Sequence, residues 1–222
     1  MMYKSEIPVR EKVVQEVLNT KVVALVRATD YTQIMEITRA LNEGGINLIA
    51  LAFDLSKPET FCVTAKAIRA ISREFKDKVL IGAANVTSYE LLYKGMNDMA
   101  QFIVSPDADA EIIKKSRQMG MASLPGIATP TEAKLAYAAG ADFVTMFPCM
   151  GDTAAYLKAI RVPLSNVNFL AHVADLEGAV EMINAGAVGV CVDDCLVNPA
   201  WVAAGEYGRI TEAAKNLLAA IG

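Results

Sequence analysis

The residue of this sequence best suited to move protons near neutral pH is its single histidine, His172. Asp175, Asp193 and Asp194 follow it further along the chain. A histidine beside carboxylates can transfer protons or bind a divalent metal ion. The structural alternative is that His172 hydrogen bonds to a neighbouring carboxylate and that the aspartates cap helices, with Asp175 placed as an N-cap. The residue types leave these alternatives open, and we expect no resident metal or cofactor.

Arg27 is the candidate for recognising an acidic ligand. Its guanidinium can hold a carboxylate through two parallel hydrogen bonds, or it can form an ion pair with one of the aspartates. We select His172 and Asp193 as candidates for proton transfer. The ligand-binding candidates are Arg27, Asp54, Asn85, Ser105 and Asp194. A thiol cluster of Cys149, Cys191 and Cys195 is conceivable, but buried, inert thiols are the simpler interpretation.

Short apolar runs precede most of these polar residues. Both faces of each run are apolar, which is typical of buried parallel strands, and a helical pattern follows each run. The eight predicted strands are 22–26, 48–52, 79–83, 102–104, 122–126, 143–147, 168–171 and 188–192. An extra helix is predicted over 10–18, before the first strand.

Helix start and stop signals support this alternation. Three segments fit a capping box, in which a hydroxyl accepts from an early N–H and a glutamate reaches back: 56–59, 87–90 and 129–132. The glycine pair Gly44-Gly45 predicts the end of the helix that follows the first strand.

Eight strand-then-helix units predict a single (β/α)8 barrel domain over residues 1–222, with an extra N-terminal helix. An open, doubly wound sheet is the alternative. In a barrel the functional site lies at the carboxyl ends of the strands. Because the polar candidates stand where the runs end, the barrel predicts that they surround one mouth.

Composition and charge exclude several other classes of function. The chain has 21 basic and 25 acidic residues, so its net charge of −4 gives no reason to expect binding to nucleic acid or to an anionic membrane. No apolar run reaches the roughly 18 residues of a membrane span. The charged start of the chain, residues 1–12, is unlike a secretory signal. Four scattered cysteines in a chain with a full-sized core predict reduced thiols and a cytoplasmic protein.

Several long segments resemble one enzyme family. They are "VVALVRATD", "IGAANVTSYELL", "AQFIVSPDADAEII", "LPGIATPTEAKLAYAAGADFV" and "MFPCMG". Together they resemble the 2-keto-3-deoxy-6-phosphogluconate and 4-hydroxy-2-oxoglutarate (KDPG/KHG) aldolases over nearly the whole chain. The resemblance implies a trimeric class I aldolase, in which a lysine on the sixth strand forms a Schiff base with a keto acid.

The resemblance also locates departures from the family pattern. Thr145 stands at the lysine position, so the resemblance places it in the catalytic site, but as a residue that forms no imine. Ala50 stands at the position of the general acid/base glutamate, and Asp54 at that of the carboxylate-binding arginine. The glycine-rich phosphate-binding ends of the last two strands are replaced by residues 171–174 and 193–195.

These departures predict that imine chemistry is absent and leave two hypotheses. The first is an enzyme that acts on a small keto acid or sugar acid with a different residue set, in which Arg27 orients a carboxylate and His172 with an aspartate moves protons. The second is a degenerate relative that binds a non-phosphorylated or cationic small ligand, or a partner, without turnover. A pocket lined by His172, Asp193 and Arg27 favours the first, and a mouth filled by Phe53 and Met146 favours the second.

Overall fold

The computed structural model of the chain describes residues 7–27 and 30–222 and contains a closed barrel of eight parallel strands. The strands are β1 (Val22–Val26), β2 (Leu48–Ala52), β3 (Leu80–Ala84), β4 (Phe102–Ser105), β5 (Ala122–Ile127), β6 (Val144–Met146), β7 (Phe169–Val173) and β8 (Gly189–Val192). They neighbour one another in chain order, and β8 pairs with β1. The predicted barrel is confirmed, and the open-sheet alternative is wrong. The prediction that the chain start is no secretory signal falls partly on residues 1–6, outside the described residues.

Helices surround the barrel. They are α1 (Val9–Thr20), α2 (Tyr31–Glu43), α3 (Phe61–Glu74), α4 (Tyr89–Asn97), α5 (Ala110–Gln118), α6 (Pro130–Ala139), α7 (Thr153–Arg161), α8 (Leu176–Ala185), α9 (Pro199–Ala204) and α10 (Tyr207–Ile221). The extra helix α1 is confirmed, and α2 ends before Gly44 as predicted. The short helix α9 was not predicted. Within the described chain, no helix is long and apolar enough to span a membrane.

The core has two layers, because successive side chains of a strand point to opposite sides. The interior layer contains Phe102, Phe143 and Leu170, and Val13 and Val17 of α1 pack beneath it. The outer layer lies between strands and helices. This alternation explains why the strands are apolar on both faces.

The alternation along β6 fixes the direction of Thr145. Phe143 belongs to the interior layer, whereas Val144 and Met146 belong to the outer layer. Thr145 therefore faces the inside of the barrel. Ala50 on β2 is also in the interior layer and is fully buried.

The three predicted capping boxes have different outcomes. Thr129 and Glu132 form the predicted box at the start of α6. The cap of α4 is Ser88 rather than Thr87, so the second prediction was wrong by one residue. The first box is absent, because the Ser56 hydroxyl donates to Asp54 Oδ1 at 2.6 Å instead of capping a helix.

Candidate functional site

A narrow cavity opens between the carboxyl ends of the strands, and we call it the deep cavity. Its volume is about 50 Å³, enough for one or two water molecules or a group the size of a carboxylate. The polar residues around it are Arg27, Asn85, Ser105, Thr145 and His172. Its apolar wall includes Leu25, Ala52, Ala84, Val104, Pro106 and Phe147. Five of the sequence-predicted site residues therefore meet at one cavity.

A wider space, the outer cleft, continues from the deep cavity toward solvent. Its volume is about 500 Å³, and it shares Arg27, Ala52, Asn85 and Pro106 with the deep cavity. Asp54 also lines it. The two spaces together can hold a small ligand whose head is buried and whose tail is solvated.

Asp193 connects the two most reactive side chains of the site. One carboxylate oxygen, Oδ2, lies 2.7 Å from Arg27 Nη2 and 3.1 Å from His172 Nε2. The other oxygen, Oδ1, accepts from the Asp194 N–H at 2.8 Å. The Asp193 side chain is only 11% exposed, whereas that of Arg27 is 53% exposed. The network confirms a hydrogen bond between His172 and a carboxylate and an ion pair of Arg27 with an aspartate.

The environment of Asp193 keeps it ionised. Burial alone would raise its pKa, but the hydrogen bonds from His172 and the Asp194 N–H, together with the charges of His172 and Arg27, lower the pKa below its ordinary value. The charged carboxylate accepts a hydrogen bond from the imidazole and so fixes the orientation of the ring. Asp193 therefore holds the His172 ring in one orientation, which is what a proton-transfer group requires.

Thr145 is buried to 97% and lines the deep cavity. Its Oγ1 makes no hydrogen bond within the described chain. Cys191 also lines the cavity, and its thiol lies close enough to the Thr145 hydroxyl for this contact to offset a little of the rise in the pKa of Cys191, but the two groups do not have the geometry of a hydrogen bond. A buried hydroxyl without a partner is uncommon in folded proteins and marks a position where a ligand or water completes the structure.

The remaining predicted residues differ in their placement. Asn85 has a φ of 58° and donates to the Phe53 carbonyl at 3.1 Å. The Ser105 hydroxyl donates to the Val86 carbonyl at 2.8 Å. These two residues line the deep cavity and anchor neighbouring loops. Asp194, in contrast, is exposed and lines neither space.

Asp54 stands at the rim in a local turn. Its Oδ1 accepts from both the hydroxyl and the N–H of Ser56, and Lys57 Nζ lies 3.5 Å from its Oδ2. The Ser56 hydrogen bonds are the main cause of its lowered pKa, and the charge of Lys57 contributes less. Asp54 is therefore charged but already engaged by its own loop.

The thiols at this end of the barrel are poorly suited to act as nucleophiles. Burial raises the pKa of Cys191 to about 12 and that of Cys195 to about 11. Burial also raises the pKa of Cys149. Since the thiolate is the reactive species, these cysteines stay protonated near neutral pH. In the described residues, no group of three or more histidine, cysteine, aspartate or glutamate side chains is arranged to hold a metal ion.

Phe147 is a site residue that sequence reasoning did not select. Its ring stands edge-on to the His172 ring, with centroids 5.3 Å apart and planes at 86°. It lines the deep cavity and limits the positions that the imidazole can take. The available signal was its spacing, because Phe147 follows the inward-facing Thr145 by two residues.

Comparisons with known proteins identify the family. A family model described as KDPG and KHG aldolase matches residues 13–213. A 2-dehydro-3-deoxy-phosphogluconate aldolase of Treponema pallidum is 30% identical over 204 residues, which cover 90% of this chain and 92% of the relative. The chain belongs to the KDPG/KHG aldolase family.

Solved structures show the same fold. KDPG aldolase from Legionella pneumophila, with pyruvate captured as a covalent carbinolamine intermediate, has a TM-score of 0.74 at 20% identity and covers 92% of this chain and 97% of its own. A cube-shaped cage designed by fusing symmetric oligomeric domains has a TM-score of 0.74 at 26% identity, covering 89% of this chain and 73% of its own.

Thr145 and Ala50, which the sequence resemblance places at the family's lysine and glutamate positions, both lie inside the barrel. Thr145 faces the deep cavity, and Ala50 belongs to the interior layer beneath the mouth. Among the described residues that line the deep cavity or the outer cleft, none is a lysine. Met146 packs in the outer layer and lines neither space, whereas Phe53 packs in the outer layer and also lines the outer cleft.

Proposed function

We propose that this chain is a lyase-family enzyme that acts on a small keto acid or sugar acid without forming the lysine imine of class I aldolases. In this proposal Arg27 binds the substrate carboxylate, and His172, oriented by Asp193, moves protons. The observation that carries the proposal is the convergence of these three residues beside the deep cavity.

Arg27 is suited to bind a carboxylate although it already has a partner. Its ion pair with Asp193 uses Nη2, and its side chain is 53% exposed at the entrance of both spaces. The remaining N–H groups of the guanidinium can donate two parallel hydrogen bonds to a ligand carboxylate. Asp193 then serves to fix the guanidinium at the entrance.

The side chains inside the barrel support the proposal that imine chemistry is absent. An imine requires an amine, and neither the Thr145 hydroxyl nor the Ala50 methyl group can form one or take up a proton. Lys57, the lysine at the rim, is engaged by Asp54. In an imine-free aldol cleavage, His172 takes the proton of the substrate hydroxyl, whose carbon becomes the carbonyl of the aldehyde product. The carbon–carbon bond breaks, its electron pair forms the enolate of pyruvate, and protonated His172 returns the proton to the enolate carbon.

The loops after β7 and β8 support a substrate without phosphate. In many (β/α)8 barrels these loops bind phosphate through backbone N–H groups. Here the N–H of Gly178 at the start of α8 donates to Asp175 Oδ1 at 2.7 Å, and the N–H of Asp194 donates to Asp193. Since carboxylates of the chain already occupy these donors, a phosphate would meet negative charge.

A cleavage assay with coupled detection of pyruvate tests the proposal. The substrates are 4-hydroxy-2-oxoglutarate and 2-keto-3-deoxy-6-phosphogluconate. We expect release of pyruvate from the first and far less from the second. The variant His172→Gln should lower kcat by at least 100-fold, within the usual range of a general base, and Arg27→Gln should mainly raise KM. Equal cleavage of both substrates, or full activity of His172→Gln, would contradict the proposal.

Ligand binding without turnover is the second candidate. It is favoured by the small volume of the deep cavity, about 50 Å³. Under this alternative neither substrate is cleaved, but small acids still raise the unfolding temperature of the wild-type protein and fail to do so for Arg27→Gln.

We also propose a homotrimer in the cytoplasm. The family resemblance supports the trimer, and so does the likeness to a cage built from symmetric oligomeric domains. The four free cysteines are consistent with a reducing compartment. Light scattering should give about three times the 23.8 kDa of one chain, and a mass of one chain would contradict the trimer.

A further inference from the structure

Thr145 carries an unsatisfied hydroxyl inside the deep cavity. The residue is 3% exposed, and its Oγ1 has no hydrogen-bond partner in the described chain. A hydroxyl can both donate and accept, and leaving it unpaired in a buried place destabilises the protein. A ligand group or a water molecule in the cavity that Thr145 lines can supply the missing partner.

His172 offers a second open position at the same cavity. Asp193 is ionised and can only accept, so the proton between them belongs to His172 Nε2. In the neutral ring the other nitrogen, Nδ1, is then an acceptor, and it makes no hydrogen bond with the described residues. Thr145 and His172 both line the cavity, which therefore has a hydroxyl that can donate and an imidazole with one nitrogen left to accept.

The ligand group that matches both positions is itself a hydroxyl. A keto oxygen can accept from Thr145, but it has no hydrogen to donate to His172 Nδ1. A ligand hydroxyl can accept from the Thr145 hydroxyl and donate to His172 Nδ1. Arg27 lines the same cavity and can hold a carboxylate next to this group. A volume of about 50 Å³ limits the buried part of the ligand to a few atoms.

We propose that the deep cavity recognises the 2-hydroxyl group of a small, non-phosphorylated 2-hydroxy acid, bound between Thr145 and His172, with its carboxylate on Arg27. This inference rests on the proposed function and adds the ligand class and the residue that selects it. Thr145 is then a specificity-determining residue, because it distinguishes acids by the group on their second carbon.

Three acids that differ only at that carbon test the inference: lactate, pyruvate and propionate. Calorimetric titration should show that lactate binds wild-type protein roughly 5- to 100-fold more tightly than propionate, the range expected when a buried polar group loses its partner. Pyruvate should bind more weakly than lactate. The variant Thr145→Val should bind lactate and propionate alike, whereas Thr145→Ser, which keeps the hydroxyl, should retain the preference.

The outcomes separate this inference from the proposed function. If wild-type protein binds the three acids equally, or if Thr145→Val keeps the preference, a water molecule satisfies Thr145 and the inference is wrong. The carboxylate site still stands in that case if Arg27→Gln weakens all three acids. If none of the acids binds, or if Arg27→Gln changes nothing, both proposals fail. Should Thr145→Val not fold, the wild-type comparison and Thr145→Ser still decide.

Discussion

Replacing Asp193 with asparagine should reverse the tautomer of His172. The asparagine carbonyl can keep the hydrogen bond from the Asp194 N–H, which places its NH2 group where Oδ2 now accepts from His172 and Arg27. Three donors would then face one another, namely the new NH2 group, His172 Nε2 and Arg27 Nη2. Arg27 can turn to solvent because half of its side chain is exposed. The imidazole regains a hydrogen bond only if its proton moves from Nε2 to Nδ1.

The stability change follows from the bonds that are exchanged. The bond from His172 to a charged acceptor contributes about 1.5–3 kcal/mol, and the half-exposed pair with Arg27 contributes about 0.2–1 kcal/mol. The new neutral bond recovers about 0.5–1.5 kcal/mol. With the midpoint of each range, we expect Asp193→Asn to lower the free energy of unfolding by about 2 kcal/mol, and Tm by roughly 4–8 °C for a chain of this length.

The pH dependence has a defined sign. The pKa of Asp193 is lowered in the folded protein, so its contribution to stability is complete above the unfolded value, about 3.9, and disappears as the pH falls through the folded pKa. The difference in unfolding free energy between wild type and Asp193→Asn should thus shrink as the pH falls below about 4.

Nitrogen NMR of the imidazole is the assay, and the single histidine of the chain makes assignment unnecessary. Wild-type protein should show a protonated Nε2, and Asp193→Asn a protonated Nδ1. Asp194→Asn is the matched control, because Asp194 is exposed and its side chain bonds to none of the described residues. A protonated Nδ1 in neutral wild-type His172, or equal effects of the two variants, would refute the reasoning.

Three further predictions concern the scaffold. Thr129→Ala should lower the unfolding free energy by about 1 kcal/mol through loss of the α6 cap, whereas Thr87→Ala should have almost no effect; equal urea midpoints would contradict this. Asp142→Asn should lower the free energy of unfolding by about 2–3 kcal/mol, because the Asp142 side chain is 2% exposed and pairs with Arg10 of α1. An unchanged Tm would contradict this prediction. A disulfide reagent should modify exposed Cys62 in native protein but leave Cys191, whose burial raises its pKa to about 12; rapid labelling of Cys191 would contradict it.

The barrel was predictable from the sequence because each strand is a short run that is apolar on both faces. The observed strand ends lie within two residues of the predicted ones. Local hydrogen-bond competition was harder to predict. Ser56 has the type and spacing of a helix cap, yet Asp54, two residues earlier, takes its hydroxyl and its N–H. The sequence pattern does not show whether the Ser56 hydroxyl accepts from a helix N–H or donates to the neighbouring carboxylate.

The candidate site was predictable in its residues but not in its contacts. Barrel topology alone brings His172, Arg27 and Thr145 to one mouth. The pairing of Asp193 rather than Asp194 with His172 depends on side-chain direction at the end of β8. Adjacent aspartates point to opposite sides, and the sequence does not say which one faces inward. The part played by Phe147 depends likewise on ring packing.

The central claim is that this barrel of the KDPG/KHG aldolase family works without a Schiff base, and trapping with pyruvate and borohydride tests it most directly. Intact mass should show no adduct on this chain, while the Legionella pneumophila aldolase, treated in parallel, is labelled. An adduct on a single lysine would contradict the account, and peptide mapping would show whether the amine is Lys57 at the rim.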